Sequence, residues 1–461
     1  MQRIRDRVAG YANVRVRIAP AGRMPIRCVF GVVDAVSLGL TMVMTRRLAI
    51  FAALTLIPPL ALVPPVAADV NASPNAVVVW DINAQTAIWD VAQQAPPQVA
   101  GRGFAMVSGA VYDAVNAIAG TPYEPYLFAP RANGRESTDA AVGTAAYRVL
   151  DAVFPAQQER LRTQYDEWLA GIPDGPAKRG GVRVGAEAAA AMITSRRNDG
   201  AFDPRPWTIG TEPGQYRPTP PGFENSGAWV GFLKPFAIPD ATMFRTVGPP
   251  AVTSRTYTRD FNEVKRLGSA TSTVRTPDQT DAALWWHDRR SVSWGMKRDL
   301  AVTQRLSLLE TARFYALADF TGTDGAIACA NDKEFWHFWR PITAIRSADT
   351  DGNPATTADP GWTPLVVTPP NPDYPSGHTC RTAAQMTAYA HFFGRDDVSF
   401  SAFSVDSGTT RHFDRFSQAT AEVVGARIWA GIHFRSADVD GTTLGTAVGK
   451  HITKRYFQPR R

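Results

Sequence analysis

Three short blocks of this sequence hold the side chains best suited to chemistry. They are Lys333-x6-Arg340-Pro341, Pro375-Ser376-Gly377-His378 and Arg427-x5-His433. Together they supply three fixed cations, two imidazoles, a hydroxyl and a glycine amide, and none contributes a carboxylate cluster for a divalent metal. Cations, a hydroxyl and backbone N–H groups suit a multiply charged oxyanion, through charge-assisted and forked hydrogen bonds. The blocks imply a pocket for phosphate or a phosphate-like group.

Each block needs an element to aim it. Lys333 and Arg340 stand seven residues apart, two helical turns, so the spacing predicts both on one helix face. Pro341 disfavours helical geometry at Arg340 and predicts a helix end there. An isolated pair of this kind suits a solvated surface equally well, but Phe335, Trp336, Phe338 and Trp339 crowd the interval. Ser376-Gly377-His378 precedes a helical stretch from Thr379 through Ala390, and free amides at a helix start favour an anion. Ser376 is equally suited to capping that helix. Gly377 permits close approach of a ligand, and His378 is placed as an acid–base group beside it. Arg427 falls near the end of a helix that starts near Arg415. Gly431 is a plausible stop, with His433 on the turn beyond. An interior arginine there requires an anionic partner. His287, His337, His391, His412 and His451 are isolated in sequence and read as structural.

Helical periodicity dominates the remainder. Phe104, Val107, Val111, Val115 and Ile118 recur at three- and four-residue spacing, as do Tyr257, Phe261, Val264 and Leu267. Ala140–Leu150, Ala156–Leu169 and Gly185–Thr194 are alanine-rich helical stretches. The one strand-like run is Val77–Trp80, so the expected fold is all-α. Residues 201–250 carry ten prolines and six glycines with Trp207, Trp229, Phe232 and Phe236 among them. That stretch is too aromatic for a disordered linker and is expected to pack as an ordered connection. The organisation is a leader (1–68), an N-terminal helical half (69–200), the connection (201–254) and a C-terminal helical half (255–461) holding all three blocks.

Charge excludes one class of partner. The 461 residues carry a formal +7, but residues 1–68 hold nine arginines against Asp6 and Asp34, leaving 40 basic and 40 acidic residues beyond. No electrostatic footprint for nucleic acid survives in that remainder. Thr45-Arg46-Arg47, the apolar run Leu48–Leu56 and Val66-Ala67-Ala68 form a secretory signal pattern over 45–68, with a cut expected ahead of Asp69. Met42 and Met44 offer alternative starts. Pro58-Pro59 and Pro64-Pro65 break the apolar run and argue against a stable membrane span. An exported chain, periplasmic or extracellular, is expected. It can oxidise Cys329 and Cys380, though pairing cannot be read from sequence.

The three blocks resemble the signature of the superfamily that unites vanadium-dependent haloperoxidases with type-2 phosphatidic acid phosphatases and bacterial acid phosphatases: K-x6-RP, PSGH and SR-x5-H-x3-D. Ala426 stands where the last block has serine, and the acid falls one place late, at Asp438. Phe338-Trp339-Arg340-Pro341, the segment Trp429–Arg435, and Tyr112-Asp113 with Asn116 are more similar to the haloperoxidase branch. The resemblance implies two bundle-like helical halves with the active site in the second. It implies vanadate bound to His433 and held by Lys333, Arg340, Ser376, Gly377 and Arg427, with His378 as acid–base for hydrogen peroxide and a halide as second substrate. The phosphatase branch implies a phosphoester in the same pocket, attacked by His433 and protonated by His378. A non-catalytic oxyanion binder is a third possibility, whose usual mark is loss of a site histidine. In fungal-type haloperoxidases aromatics frame the halide at positions that here are Ala330 and Asn371. The resemblance thus implies the oxyanion pocket more firmly than the halide frame.

Overall fold

The computed structural model describes residues 75–92 and 97–460. The leader, its signal-like segment and the cut expected ahead of Asp69 lie outside the described residues. Regular structure among the described residues is helical apart from one short hairpin, as the periodicity predicts.

The strand-like run Val77–Trp80 is instead part of helix α1 (Ala76–Gln85), which continues as a π-helical turn over Thr86–Val91. Asn75 caps it: its Oδ1 accepts from the Val77 amide at 3.0 Å, and its side-chain amide donates to Thr311 at 2.8 Å. Val77, Trp80 and Ala84 then enter the core at helical spacing, so tertiary burial overrides the β-branched run. Helices α2 (Pro97–Ile118), α3 (Thr138–Val153), α4 (Gln158–Ala170) and α5 (Pro176–Ser195) complete the N-terminal half. The second half contains α6 (Arg255–Leu267), α7 (Pro277–Trp285), α8 (Val292–Thr303), α9 (Leu308–Trp336), α10 (Pro341–Arg346) and α11 (Gly377–Phe393). The antiparallel hairpin of β1 (Phe400–Phe403) and β2 (Thr410–Phe413) follows, then α12 (Phe416–Trp429) and α13 (Arg435–Thr453). Four residues of alternation per strand are too few to reveal the hairpin in sequence. Phe400 and Phe413 face each other in it, with ring centroids 5.2 Å apart.

Helix α9 is the axis on which both halves pack. A capping box between Ser307 and Glu310 starts it, and from Thr311 to Cys329 buried residues occupy every side of it. Such all-round burial marks a central helix. It packs against α2 from the first half and α11 and α13 from the second. Small residues allow this: a Cβ at Gly445 of α13 would stand 2.0 Å from the Cys380 carbonyl oxygen of α11. Helix α11, whose first turn belongs to the Ser-Gly-His block, is therefore clamped between α9 and α13. Among the described residues no helix is long and apolar enough to cross a membrane.

The Pro/Gly-rich stretch is ordered, and carboxylates on α9 are the reason. Buried Asp324 accepts from the amides of Phe236, Ala237 and Ile238 at 2.7, 2.6 and 2.8 Å. Asp332 accepts from the Thr246 amide and from Arg245, both at 2.8 Å. These bonds replace the regular structure that the prolines deny. Removing one strands its donors. Asp324→Ala leaves three buried amides unpaired and should destabilise the chain by about 3 kcal/mol or more. Urea unfolding measures this, and a loss under about 1 kcal/mol would show that the connection holds itself.

Candidate active site

The two cations of the first block do not share a helix face, as their spacing suggests. Lys333 lies in the last turn of α9, which stops at His337 in a left-handed conformation (φ 34°). The chain reverses there, and Arg340 becomes the extended N-cap residue of α10, with Pro341 as its first helical residue. Both cations still meet, on the backbone ahead of the Ser-Gly-His block. Lys333 donates to the carbonyls of Pro372 and Asp373, the latter at 2.9 Å. Arg340 donates to the carbonyl and side chain of Asn371 at 2.7 and 2.8 Å and to the Ile432 carbonyl at 2.6 Å. Both are buried, at 3% and 1% exposed. Burial and the neighbouring Arg340 push the Lys333 ammonium down to about 8.

Ser376 is the N-cap residue of α11, but its hydroxyl does not cap the helix. It is fully buried, and its neighbouring acceptor is the buried Asp438 carboxyl rather than a backbone amide. The first helical bond runs from the Cys380 amide to the Ser376 carbonyl, so the Gly377 and His378 amides have no intrahelical partner. Arg427, in the last turn of α12, is also fully buried. Its one hydrogen bond, at 3.3 Å, goes to the Trp286 carbonyl, and its Nε has no partner. Burial pushes it down to about 9, opposed chiefly by Asp438. Burial raises Asp438 well above the carboxylate range.

His433 lies in the turn between α12 and α13, beyond Gly431, which has φ 80°. A side chain at Gly431 would collide with the Gly268 carbonyl at 2.3 Å. The His433 Nδ1 stands 2.9 Å from an Asp373 oxygen, in contact but off the line of a hydrogen bond. Its Nε2 lies 3.0 Å from Arg340. Burial, then Arg340 and Lys333, hold its pKa well below the usual histidine value. In a neutral ring with Nδ1–H toward Asp373, Nε2 accepts from Arg340 Nη1, and a ligand or electrophile at Nε2 would take the place of that bond. Burial likewise raises Asp373, to about 7. His378 is half-buried, and burial followed by Arg427 keeps it neutral.

Lys333, Arg340, Gly377, His378, Arg427 and His433 line one cavity of about 900 Å³. Ser376 lies behind that surface. Trp207 and Trp229 of the Pro/Gly-rich connection form part of the mouth. Among the described residues no group of three or more His, Cys, Asp or Glu side chains is placed to hold a metal ion. Cys329 and Cys380 are buried free thiols. Sequence reasoning missed Asp373 and Asn371, which orient His433 and Arg340; their only signal is position just before the Ser-Gly-His block. It also set aside His287, which lines the cavity beside Arg289.

Residues 313–460 match the family model of the VCPO second helical-bundle domain. The chain is 30% identical to the vanadium chloroperoxidase of Curvularia inaequalis over a stretch covering 28% of this chain and 26% of that protein. The matched stretch thus spans about a quarter of that relative's length. Among solved structures, a bacterial vanadium-dependent iodoperoxidase superposes with a TM-score of 0.72 at 22% identity, over 85% of this chain and 99% of that one. The apo form of a bacterial vanadium-dependent chloroperoxidase gives 0.61 at 18% identity, over 78% and 94%. At these identities the two structures establish the all-helical fold.

The lowered Lys333 has a consequence for pH. Its ammonium discharges as pH rises through about 8, so an oxyanion that needs it binds with proton uptake above that point. Affinity for orthovanadate should be full below that pH and fall above it. Titration calorimetry separates this from the ligand's own ionisation. Lys333→Arg, which stays charged, should move the fall to higher pH, and superimposed profiles would contradict the assignment.

Proposed function

We propose that the chain, whose residues 313–460 match the VCPO second helical-bundle domain, works as a vanadium-dependent haloperoxidase: its cavity binds vanadate and uses hydrogen peroxide to oxidise a halide. Arg427 carries this reading: a fully buried guanidinium on the cavity wall with a single carbonyl partner. The free amides of α11 fit the same group. Each is a donor lacking an acceptor, and a tetrahedral oxyanion is rich in acceptors.

Lys333, Arg340, Arg427 and the Gly377 amide would hold the oxyanion's oxygens, with Ser376 adding its hydroxyl. His433 presents Nε2 as the protein's ligand, and Asp373 fixes the tautomer that frees it. When bound, vanadate supplies a Lewis-acidic centre that makes peroxide electrophilic toward halide. His378 is neutral in the structure, so a ring nitrogen is free to take a proton from incoming peroxide. The cationic wall stabilises the charge that develops at the oxyanion.

A second reading, phosphoester hydrolysis through a phosphohistidine, draws on one observation. Positions 330 and 371 carry an alanine and an asparagine engaged by Arg340, in place of aromatics framing a halide. In that reaction His433 Nε2 would attack phosphorus and His378 would protonate the leaving oxygen.

The purified chain, assayed with and without orthovanadate, decides between them. Peroxide-dependent halide oxidation that requires vanadate is the expected result; phosphoester cleavage inhibited by vanadate would favour the second. The histidines should fail differently. His433→Ala should abolish stable vanadate binding, whereas His378→Ala should keep it and lower turnover about 10²–10⁴-fold. Equal loss of binding from both would refute this division of roles.

A further inference from the structure

Beside His378 the main cavity adjoins an enclosed chamber of about 30 Å³, walled by Trp286, Arg289, Ser293, His378 and Arg381. That is room for one or two water-sized particles, too little for a tetrahedral oxyanion. Gly377 and His378 line both spaces, so the chamber opens onto the acid–base histidine.

Its arginines differ from those that the fold pairs internally. Arg196, for example, is 2% exposed and is spent on Asp199 and on the carbonyls of Lys234 and Pro235. Arg381 is 9% exposed, its Nε has no partner, and among the described residues it forms neither an ion pair nor a hydrogen bond. Its guanidinium lies 4.5 Å from the Trp294 ring centroid. The carboxylate acting on it, Asp319, is already matched, because Lys297 bridges Asp319 and Asp81 while Arg298 also pairs with Asp81. Arg289, in the turn between α7 and α8, is likewise unpaired among the described residues. Nearby Asp406 is taken by His287 at 2.7 Å and Arg290 at 3.8 Å. The acid on the chamber wall, Asp288, is occupied by the amides of Arg290, Ser291 and Val405 and by the Ser291 hydroxyl.

Two guanidiniums without a hydrogen-bonded acid, set against the single carboxylate of Asp288, therefore leave the wall net positive around a space sized for one small ion. We propose that this chamber binds a small monovalent anion and, on the haloperoxidase reading of the adjoining cage, that the anion is the halide held beside His378. Guanidinium is weakly hydrated and suits a polarisable, weakly hydrated anion, and the indole of Trp286 closes the remaining wall. Arg289 and Arg381 are then halide-positioning residues; Arg289 also borders the main cavity, whereas Arg381 faces the chamber alone.

Sodium bromide is the probe. Crystals of the protein soaked in bromide should show an anomalous peak between Arg289, Arg381 and His378, absent in Arg381→Met. The KM for bromide should rise about tenfold or more in Arg381→Met and Arg289→Met, as loss of a charge-assisted contact predicts, with orthovanadate binding retained in Arg381→Met, whose side chain lines only the chamber. Arg289 lies on a half-buried turn, so its variant keeps the test open if Arg381→Met fails to fold. A bromide peak without any halide oxidation would support the anion site and remove the haloperoxidase reading. Halide oxidation with an unchanged bromide KM in both variants would overturn the chamber and leave that reading intact.

Discussion

Lys333, Arg340 and Arg427 are buried around one cavity with only two acids beside them, Asp373 at 4.0 Å from Arg340 and Asp438 near Arg427, and the rest of the site follows from that imbalance. Burying a fixed charge costs several kcal/mol unless partners replace water. The partners present are mostly carbonyl oxygens, from Asn371, Pro372, Asp373, Ile432 and Trp286. The two nearby acids, Asp373 and Asp438, are themselves pushed toward neutrality by burial. Lys333 and Arg427 are pushed the same way, down to about 8 and about 9. The cavity wall thus concentrates positive charge that a multiply charged oxyanion relieves. Burial and the same cations hold both histidines well below the usual histidine range.

Holding that arrangement requires rigid supports from distant parts of the chain. Helix α11 is clamped between α9 and α13, so its free amides cannot drift from the cations on α9 and α12. The segment from Asn371 to Asp373 acts as a plate that fixes Lys333, Arg340 and His433 at once. Asp324 and Asp332 tie the Pro/Gly-rich connection to α9, which brings Trp207 and Trp229 to the mouth. A single buried helix therefore serves the fold, the cage and the entrance.

The sequence revealed the blocks because each combines rare residue types with the turn chemistry that positions them. Pro341 marks the helix break at Arg340, Gly377 the close approach to a ligand, and Gly431 the turn before His433. Periodicity exposed most helices, and aromatics among the prolines signalled an ordered connection. What stayed hidden depended on tertiary partners. Val77–Trp80 is helical because Asn75 caps it and the core accepts its buried face. Lys333 and Arg340 meet across a chain reversal at His337, whose left-handed backbone leaves no trace in residue spacing. Asp373, Asn371, Arg289 and Arg381 are single residues of common type. Only their neighbours show the first two as orienting groups and the last two as unpaired cations.

The central claim is that the buried cations are matched by a bound oxyanion, and Arg427 tests it most directly. Thermal unfolding of the wild-type chain and Arg427→Met, each with and without orthovanadate, separates the two contributions to stability. The wild-type melting temperature should rise with orthovanadate, while the variant without ligand should match or exceed the unliganded wild type and respond little to the anion. A strongly destabilised variant, together with a wild type indifferent to orthovanadate, would mean that Arg427 is compensated within the fold and that the cavity is not built for an oxyanion.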